Sequence, residues 1–300
     1  MDMTQNKCCR HGASLRRRRR RRRKILRSII FSCSIIAVAV FVAVGSRMIR
    51  SGDGRTNKYD VEAGNNTYDN AVIENSKISE KNKIQNNQSM LDDIMNSTQY
   101  PKQLKDLALK NEEALEFVYD YPAEHVKEHT IDLTEEASMD SVPLFVQWDK
   151  RWGYEKYSGN FFAASGCGPT TLSMVVVYLT HNRDASPIAV AKYSKEAGYS
   201  VDGSGSSWTL ISEGCMHYGV KAKAVALDES RMKAELDEGH PIVVNVGPGD
   251  FTDTGHFMVI TGYDDEGFSI NDPNSIEKSG KRWLFRNISS QIRAVWSMYV

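Results

Sequence analysis

Residues 164–179, "ASGCGPTTLSMVVVYL", set one cysteine between two glycines and follow it with a proline and a run of apolar residues. Past Pro169, the residues Leu172, Val175, Val176 and Leu179 fall at i, i+3, i+4 and i+7, the spacing of one buried helix face. Pro169 suits the first helical turn, where its missing N–H leaves no bond unmade. The stretch therefore predicts a core helix with Cys167 at its amino end, where unpaired N–H groups and the positive end of the helix dipole favour thiolate over thiol. Gly166 and Gly168 are expected to leave the sulfur open and to let a substrate carbonyl approach the backbone. A free cysteine more often behaves as a small core hydrophobe, so the reactive reading needs partners elsewhere in the chain.

Working outward, residues 186–197 begin with Ser-Pro and read as a second helix, and residues 207–218 as a third, with Met174 and Met216 both expected in the core. Trp148 and Trp152 read as core or cleft-wall aromatics, and Trp208, behind "GSGSS", either lines a cleft or packs at a helix start. Residues 220–226 ("VKAKAVA") read as a strand and 228–238 as a short helix stopped by Gly239. Then come "PIVVNVG" (241–247), "HFMVITGYD" (256–264), "FSIND" (268–272) and strand candidates near Trp283 and Trp296. Helices gathered before closely spaced strands predict an α+β fold with an antiparallel sheet.

A thiolate nucleophile needs a proton partner, and histidine is the side chain whose ordinary pKa lies near neutrality. His240 precedes Pro241 at a turn and reads as surface. His256 opens an apolar strand beside the small Gly255 and ranks ahead of it. A third group that fixes the imidazole is expected from Asp272, because a hairpin through residues 265–267 brings the ends of two strands together. A plain turn residue before Pro273 remains an equal reading of Asp272. Acyl chemistry also needs donors for a developing oxyanion, and Gln147, in "VPLFVQWDKRWG" (142–153), precedes the cysteine with an amide suited to that place beside the Cys167 backbone N–H.

With these four residues in place, the chain from about residue 142 to 300 resembles the papain-superfamily cysteine peptidases of the bacteriocin-processing, double-glycine-leader type, and most of all their stand-alone relatives. The motifs are Gln147 in "FVQWDKRW", Cys167 in "SGCGPTTLSMV", His256 in "TGHFMVITGYD" and Asp272 in "INDP". The resemblance implies a papain-like fold, Cys167 as nucleophile, His256 as general base and then acid, Asp272 as orienter and Gln147 as oxyanion donor. It departs from the transporter-linked members, which carry several spans and a phosphate-binding loop. This chain has one candidate span and no G-x-x-x-x-G-K-[ST], so it is not an exporter of that kind.

The formal net charge of zero hides an asymmetry, since residues 1–28 carry twelve Lys and Arg, including the tract 16–23, against the single acid Asp2. An uncharged apolar stretch, 28–46, follows. Its length and its basic flank read as a single membrane helix (29–46) behind a cytoplasmic basic tail (1–28), with the remainder outside the cell membrane. A cleaved signal peptide is the competing reading. Residues 47–98 are rich in Asn, Ser, Lys and acids without apolar period, and are expected to form a flexible, disordered linker with a reach of about 40 Å. Residues 99–140 change character, with Leu104, Leu107, Ala108, Ala114, Leu115 and Val118 at helical spacing behind a Ser97/Thr98 cap. They predict a helical segment docked on the peptidase-like domain at 141–300, either as simple packing or as a pro-segment.

Five cysteines occur, and only Cys167 and Cys215 lie beyond the apolar stretch. A disulfide between them is open to an exported protein and would remove the nucleophile. The absence of a Cys-x-x-Cys pair leaves no zinc-type spacing, and no metal or other cofactor is expected. The expected function is a membrane-anchored extracellular cysteine peptidase acting on peptide or isopeptide bonds, with a peptide or peptidoglycan-peptide substrate and no nucleic-acid partner. Two alternatives share the sequence: an acyl or peptidyl transferase with the same residues, since the thioester step is common to both, and a noncatalytic peptide-binding surface module.

Overall fold

The structure, a computed structural model, describes residues 66–300, with side chains from residue 79. The basic tail and the apolar stretch at 29–46 lie outside the described residues. Among the described residues no helix is long and apolar enough to cross a membrane.

Six strands form one sheet: β1 (Lys221–Ala224), β2 (Ile242–Val246), β3 (His256–Asp264), β4 (Gly267–Asn271), β5 (Arg282–Trp283) and β6 (Ile292–Tyr299). Their order is β1-β6-β2-β3-β4-β5, with every neighbouring pair antiparallel. The principal helices are α1 (Asn66–Asn96), α2 (Lys102–Lys110), α3 (Leu115–Tyr119), α4 (Cys167–Thr180), α5 (Pro187–Glu196) and α6 (Glu229–Asp237). The mixed fold of helices on an antiparallel sheet is the one the order of apolar patterns predicts.

Successive side chains of a strand point to opposite faces, and the core divides accordingly. Val243, Phe257, Val259, Trp296 and Met298 meet Leu172, Val175 and Val176 of α4 on one face. Ile242, Val244, Val246, Met258 and Ile260 meet Met232 of α6 and Ile288 on the other. Burial on both faces explains why β2 carries apolar residues on both, with Asn245 its one polar residue, rather than alternating. Each Val or Leu so buried contributes roughly 1.5–3 kcal/mol relative to exposure, which makes α4 and the central strands the rigid part of the domain.

Several expectations need correction. The stretch expected to be a flexible linker contains α1, whose last two turns bury Ile94 and bring Met90 and Leu91 against Leu104, Leu107 and Phe117. This apolar stripe spans barely more than one turn, too short to register as periodicity in a segment otherwise polar. The helical segment, read as one helix or a pair, is the pair α2 and α3 joined by a 3-10 turn at Glu112–Ala114, followed by short helical turns at Tyr121–Glu124 and Thr134–Ser138. Its start is not capped by Ser97 or Thr98; Pro101 occupies the cap, and its carbonyl accepts from the N–H groups of Leu104 and Lys105. The third helix expected at 207–218 splits into a four-residue α-turn (Thr209–Ser212) and a 3-10 turn (Gly214–Tyr218). The tighter winding of the latter buries Cys215 but turns Met216 out to 62% exposure.

Candidate active site

Cys167 is the first residue of α4, His256 the first of β3, and Asp272 follows β4 directly. The helix head is fixed at the strand mouth by Thr171, one turn past the cysteine, whose Oγ1 donates to the Phe257 carbonyl at 3.1 Å. The β3–β4 hairpin closes tightly, with Asp264 opposite Gly267, so the chain leaving β4 returns beside the start of β3. There the His256 Nε2 meets Asp272 Oδ1 at 2.7 Å, with His256 6% exposed and Asp272 fully buried. Nε2 is thereby committed to the carboxylate, and Nδ1 is the ring nitrogen left for the Cys167 sulfur.

Electrostatics follow from that arrangement. Burial opposes charge on His256, but the adjacent Asp272 carboxylate, its hydrogen bond and the interaction with Cys167 push the imidazole pKa up to about 10. Burial likewise opposes ionisation of Cys167; the hydrogen bond and charge of His256, with the backbone N–H groups of Phe257 and Gly168, nonetheless hold the thiol below its ordinary value. Opposite shifts in adjacent groups are the directions that favour a thiolate beside an imidazolium. Cys215 behaves otherwise, since burial without a cationic partner pushes it up to about 11. Both cysteines are free, so the disulfide that would have removed the nucleophile is not formed.

Asp272 makes both the contact to His256 and the turn before Pro273. Its Oδ1 also accepts from the backbone N–H of Asn274 at 2.8 Å, making the turn that carries Pro273. Gln147 is buried between the two halves of the site: its Nε2 donates to the Ala163 carbonyl and its backbone N–H to the Pro273 carbonyl, each at 2.7 Å. Its Oε1 is buried without a hydrogen-bond partner. His240 pairs with Glu235 at 3.1 Å, not with the cysteine.

The glycines around Cys167 are also needed by the packing on either side of it. A Cβ on Gly166 would come within 2.6 Å of the Phe162 ring, and one on Gly168 within 2.5 Å of Ser206 Oγ. Their small size lets the turn before the helix and the loop at 205–206 close on the helix head. Ser206 in turn shares its hydroxyl with Tyr157 Oη at 2.6 Å, and Tyr157 with Ser194 at 2.8 Å. The sequence pointed to the 203–208 loop only through Trp208. That side chain is 47% exposed and meets Trp296 edge to face at 6.0 Å, while Trp296 lies 6.4 Å from the Phe257 ring. The described residues contain no cluster of three or more His, Cys, Asp or Glu side chains arranged for a metal ion.

No curated protein sequence matches the chain. Among solved structures, the peptidase domain of Streptococcus ComA, described as a bi-functional ABC transporter involved in a quorum-sensing pathway, is 19% identical. Its alignment covers 45% of this chain and 90% of that one at a TM-score of 0.36. A C39-like peptidase candidate from Bacillus anthracis is 16% identical over 53% of this chain and 95% of that one, at a TM-score of 0.34. Neither likeness bears on the site at these scores. The model of the Peptidase_C39 like family matches residues 139–300, more than half of the sequence and all four candidate residues, and the chain belongs to that family.

Proposed function

We propose that the chain is a cysteine peptidase that cleaves peptide or isopeptide bonds through Cys167, His256 and Asp272, held outside the cell by a membrane helix at 29–46. The observation that carries the reading is the buried 2.7 Å bond between His256 and Asp272 beside a cysteine at a helix head. In this scheme the Cys167 thiolate attacks the scissile carbonyl, and the developing oxyanion takes donors from the Cys167 backbone N–H and from the second amide hydrogen of Gln147 Nε2. The His256 imidazolium gives its proton to the leaving amine, and a thioester remains on Cys167. The now neutral imidazole takes a proton from water, hydroxide equivalent adds to the thioester, and the acid product leaves as the thiolate and imidazolium are restored. Asp272 keeps its charge throughout and fixes the ring. The anchor rests on the arginine tract followed by an uncharged apolar stretch.

The test is a comparison, by mass spectrometry, of peptide fragments released by wild-type and Cys167→Ala cells. Fragments lost in the variant support the peptidase; fragments instead joined to an added amine point to the transferase. Equal labelling of Cys167 and Cys215 by a thiol-reactive probe, with no fragment lost, overturns both in favour of a binding module.

A further inference from the structure

The turn after Asp272 is held from a part of the chain outside the family-matched residues. Asn111 Nδ2 donates to the Asn274 carbonyl at 2.9 Å and to its side-chain oxygen at 3.0 Å. The Glu113 carboxylate accepts from the Ser275 hydroxyl on one oxygen and, on the other, from the backbone N–H groups of Ile276 at 2.7 Å and Glu277 at 3.1 Å. Asn111 itself is fixed, because its Oδ1 caps the N–H of Glu113 at 3.0 Å. The two residues thus form one rigid turn between α2 and α3, with its polar ends spent on residues 274–277.

What this turn grips begins two residues after the imidazole's partner. Asn274, bound by Asn111, donates its own N–H to Asp272 Oδ1, the oxygen that also accepts from His256. Ser275, bound by Glu113, sends its N–H to the Asp272 carbonyl at 3.2 Å. The loop is also tied to the Gln147 stretch, through the Pro273 carbonyl and through Trp148 Nε1, which donates at 3.2 Å to the same Asn274 carbonyl. Hydrogen bonds to a charged acceptor are directional and among the stronger ones, so loosening this loop lets the carboxylate swing away from the ring.

We propose that Glu113, with Asn111, is a positioning residue for the cysteine site: it holds the 274–277 turn so that Asp272 stays aimed at His256, making the α2–α3 segment a fixed part of the active site. This rests on the peptidase reading above. On that basis the segment is not a pro-segment removed for activity. A carboxylate displaced from His256 stabilises the imidazolium less, and the Cys167 thiolate with it.

The experiment is alkylation of the full chain with iodoacetamide across pH, with Cys167 and Cys215 followed separately. In wild type Cys167 reacts with a midpoint below the ordinary thiol value of about 8.5, while buried Cys215 stays slow. In Glu113→Ala and Asn111→Ala the Cys167 midpoint moves upward while Cys215 remains slow, and Glu113→Gln, which keeps the shape and one acceptor, shifts less. Release of the Cys167-dependent fragments falls about tenfold or more, as a displaced catalytic group implies. A Cys215 that becomes reactive in Glu113→Ala reports global unfolding, and Glu113→Gln then decides. Midpoints unchanged in folded variants overturn the positioning role. A wild-type midpoint at or above 8.5 instead overturns the peptidase reading on which it rests.

Discussion

Replacing Asp272 with asparagine separates charge from shape at the one position where both matter. The carboxylate is fully buried, and its Oδ1 accepts from His256 Nε2 at 2.7 Å and from the Asn274 N–H at 2.8 Å. Asparagine keeps an oxygen for the turn but brings no negative charge. In wild type, burial pulls the His256 pKa down while Asp272, by charge and by hydrogen bond, and then Cys167 raise it to about 10. Without that charge burial prevails, and the imidazole is expected at or below its ordinary value of about 6.5. The thiol then loses its cation and rises to the ordinary range or above. A thiol with pKa about 8.5 is roughly 3% ionised at pH 7, so the thiolate population falls about thirtyfold from a fully ionised one. Thiolates of higher pKa are more nucleophilic per molecule, with a Brønsted slope of about 0.4–0.5. That partly hides the loss at any single pH, and the informative quantity is the midpoint of the alkylation profile. Iodoacetamide labelling of Cys167 should show the midpoint below 8.5 in wild type and above it in Asp272→Asn, by about a unit or more. Coincident profiles would refute the argument, because they would mean that the buried carboxylate is not what keeps His256 charged.

Stability should follow the same pair. Because the folded-state pKa of His256 is raised and that of Cys167 lowered, the proton His256 keeps above about 6.5 is matched by the one Cys167 has given up until the unfolded thiol ionises near about 8.5, so wild-type thermal melts should stay level to about 8.5 and decline as pH rises from there through about 10, and much less in Asp272→Asn. Gly166→Ala forces a methyl to 2.6 Å from the fully buried Phe162 ring, and the overpacking should cost about 1–3 kcal/mol, seen as a melting temperature lower by several degrees with slower Cys167 labelling. Gln147→Ala should leave the alkylation profile in place but slow fragment release by about 10²–10³-fold, the usual effect of removing one oxyanion donor; equal release would remove Gln147 from the mechanism.

The residues that meet at the site were readable because each advertises itself locally. Pro169 within a turn of Cys167 marks a helix head, the apolar run from Phe257 to Ile260 marks a buried strand with His256 at its mouth, and "NDP" marks a turn. The hairpin between those strands then needs only a short connection. Other features depend on contacts far apart in sequence and left no local trace. Glu113 lies 162 residues from Ser275, and no period or motif near either predicts that they touch. The short stripe of Met90, Leu91 and Ile94 has meaning only because Leu104 and Phe117 lie across from it. The reason for Gly166 was, by contrast, within reach: Phe162 lies four residues earlier, one helical turn away, and an aromatic there already argues against a Cβ at 166.

The boundary drawn at residue 140, on helical spacing and resemblance, runs between residues that pack and hydrogen-bond together. The helical segment before it buries Leu104, Leu115, Phe117 and Val118 against Phe161 and Ala163, in the turn that leads to Cys167. The Phe117 ring stacks on Tyr154 at 4.2 Å, and Lys150 pairs with Asp120 at 2.6 Å. Through Asn111 and Glu113 the same segment grips the loop that follows Asp272. It touches the nucleophile's approach from one side and the imidazole's partner from the other. Removing it would uncover Phe161 alone at a cost of roughly 1.5–3 kcal/mol, and would free the 274–277 turn as well. The first loss falls on the approach to α4 and the second on the end of the β3–β4 hairpin, where the 2.7 Å bond between His256 and Asp272 is made. A chain begun at residue 139 should accordingly retain the sheet and its two core faces, with a native-like strand content by circular dichroism, while its Cys167 alkylation midpoint rises toward that of an ordinary thiol. A truncated chain whose midpoint matched the full-length protein would show that the sheet and α4 position the three groups unaided.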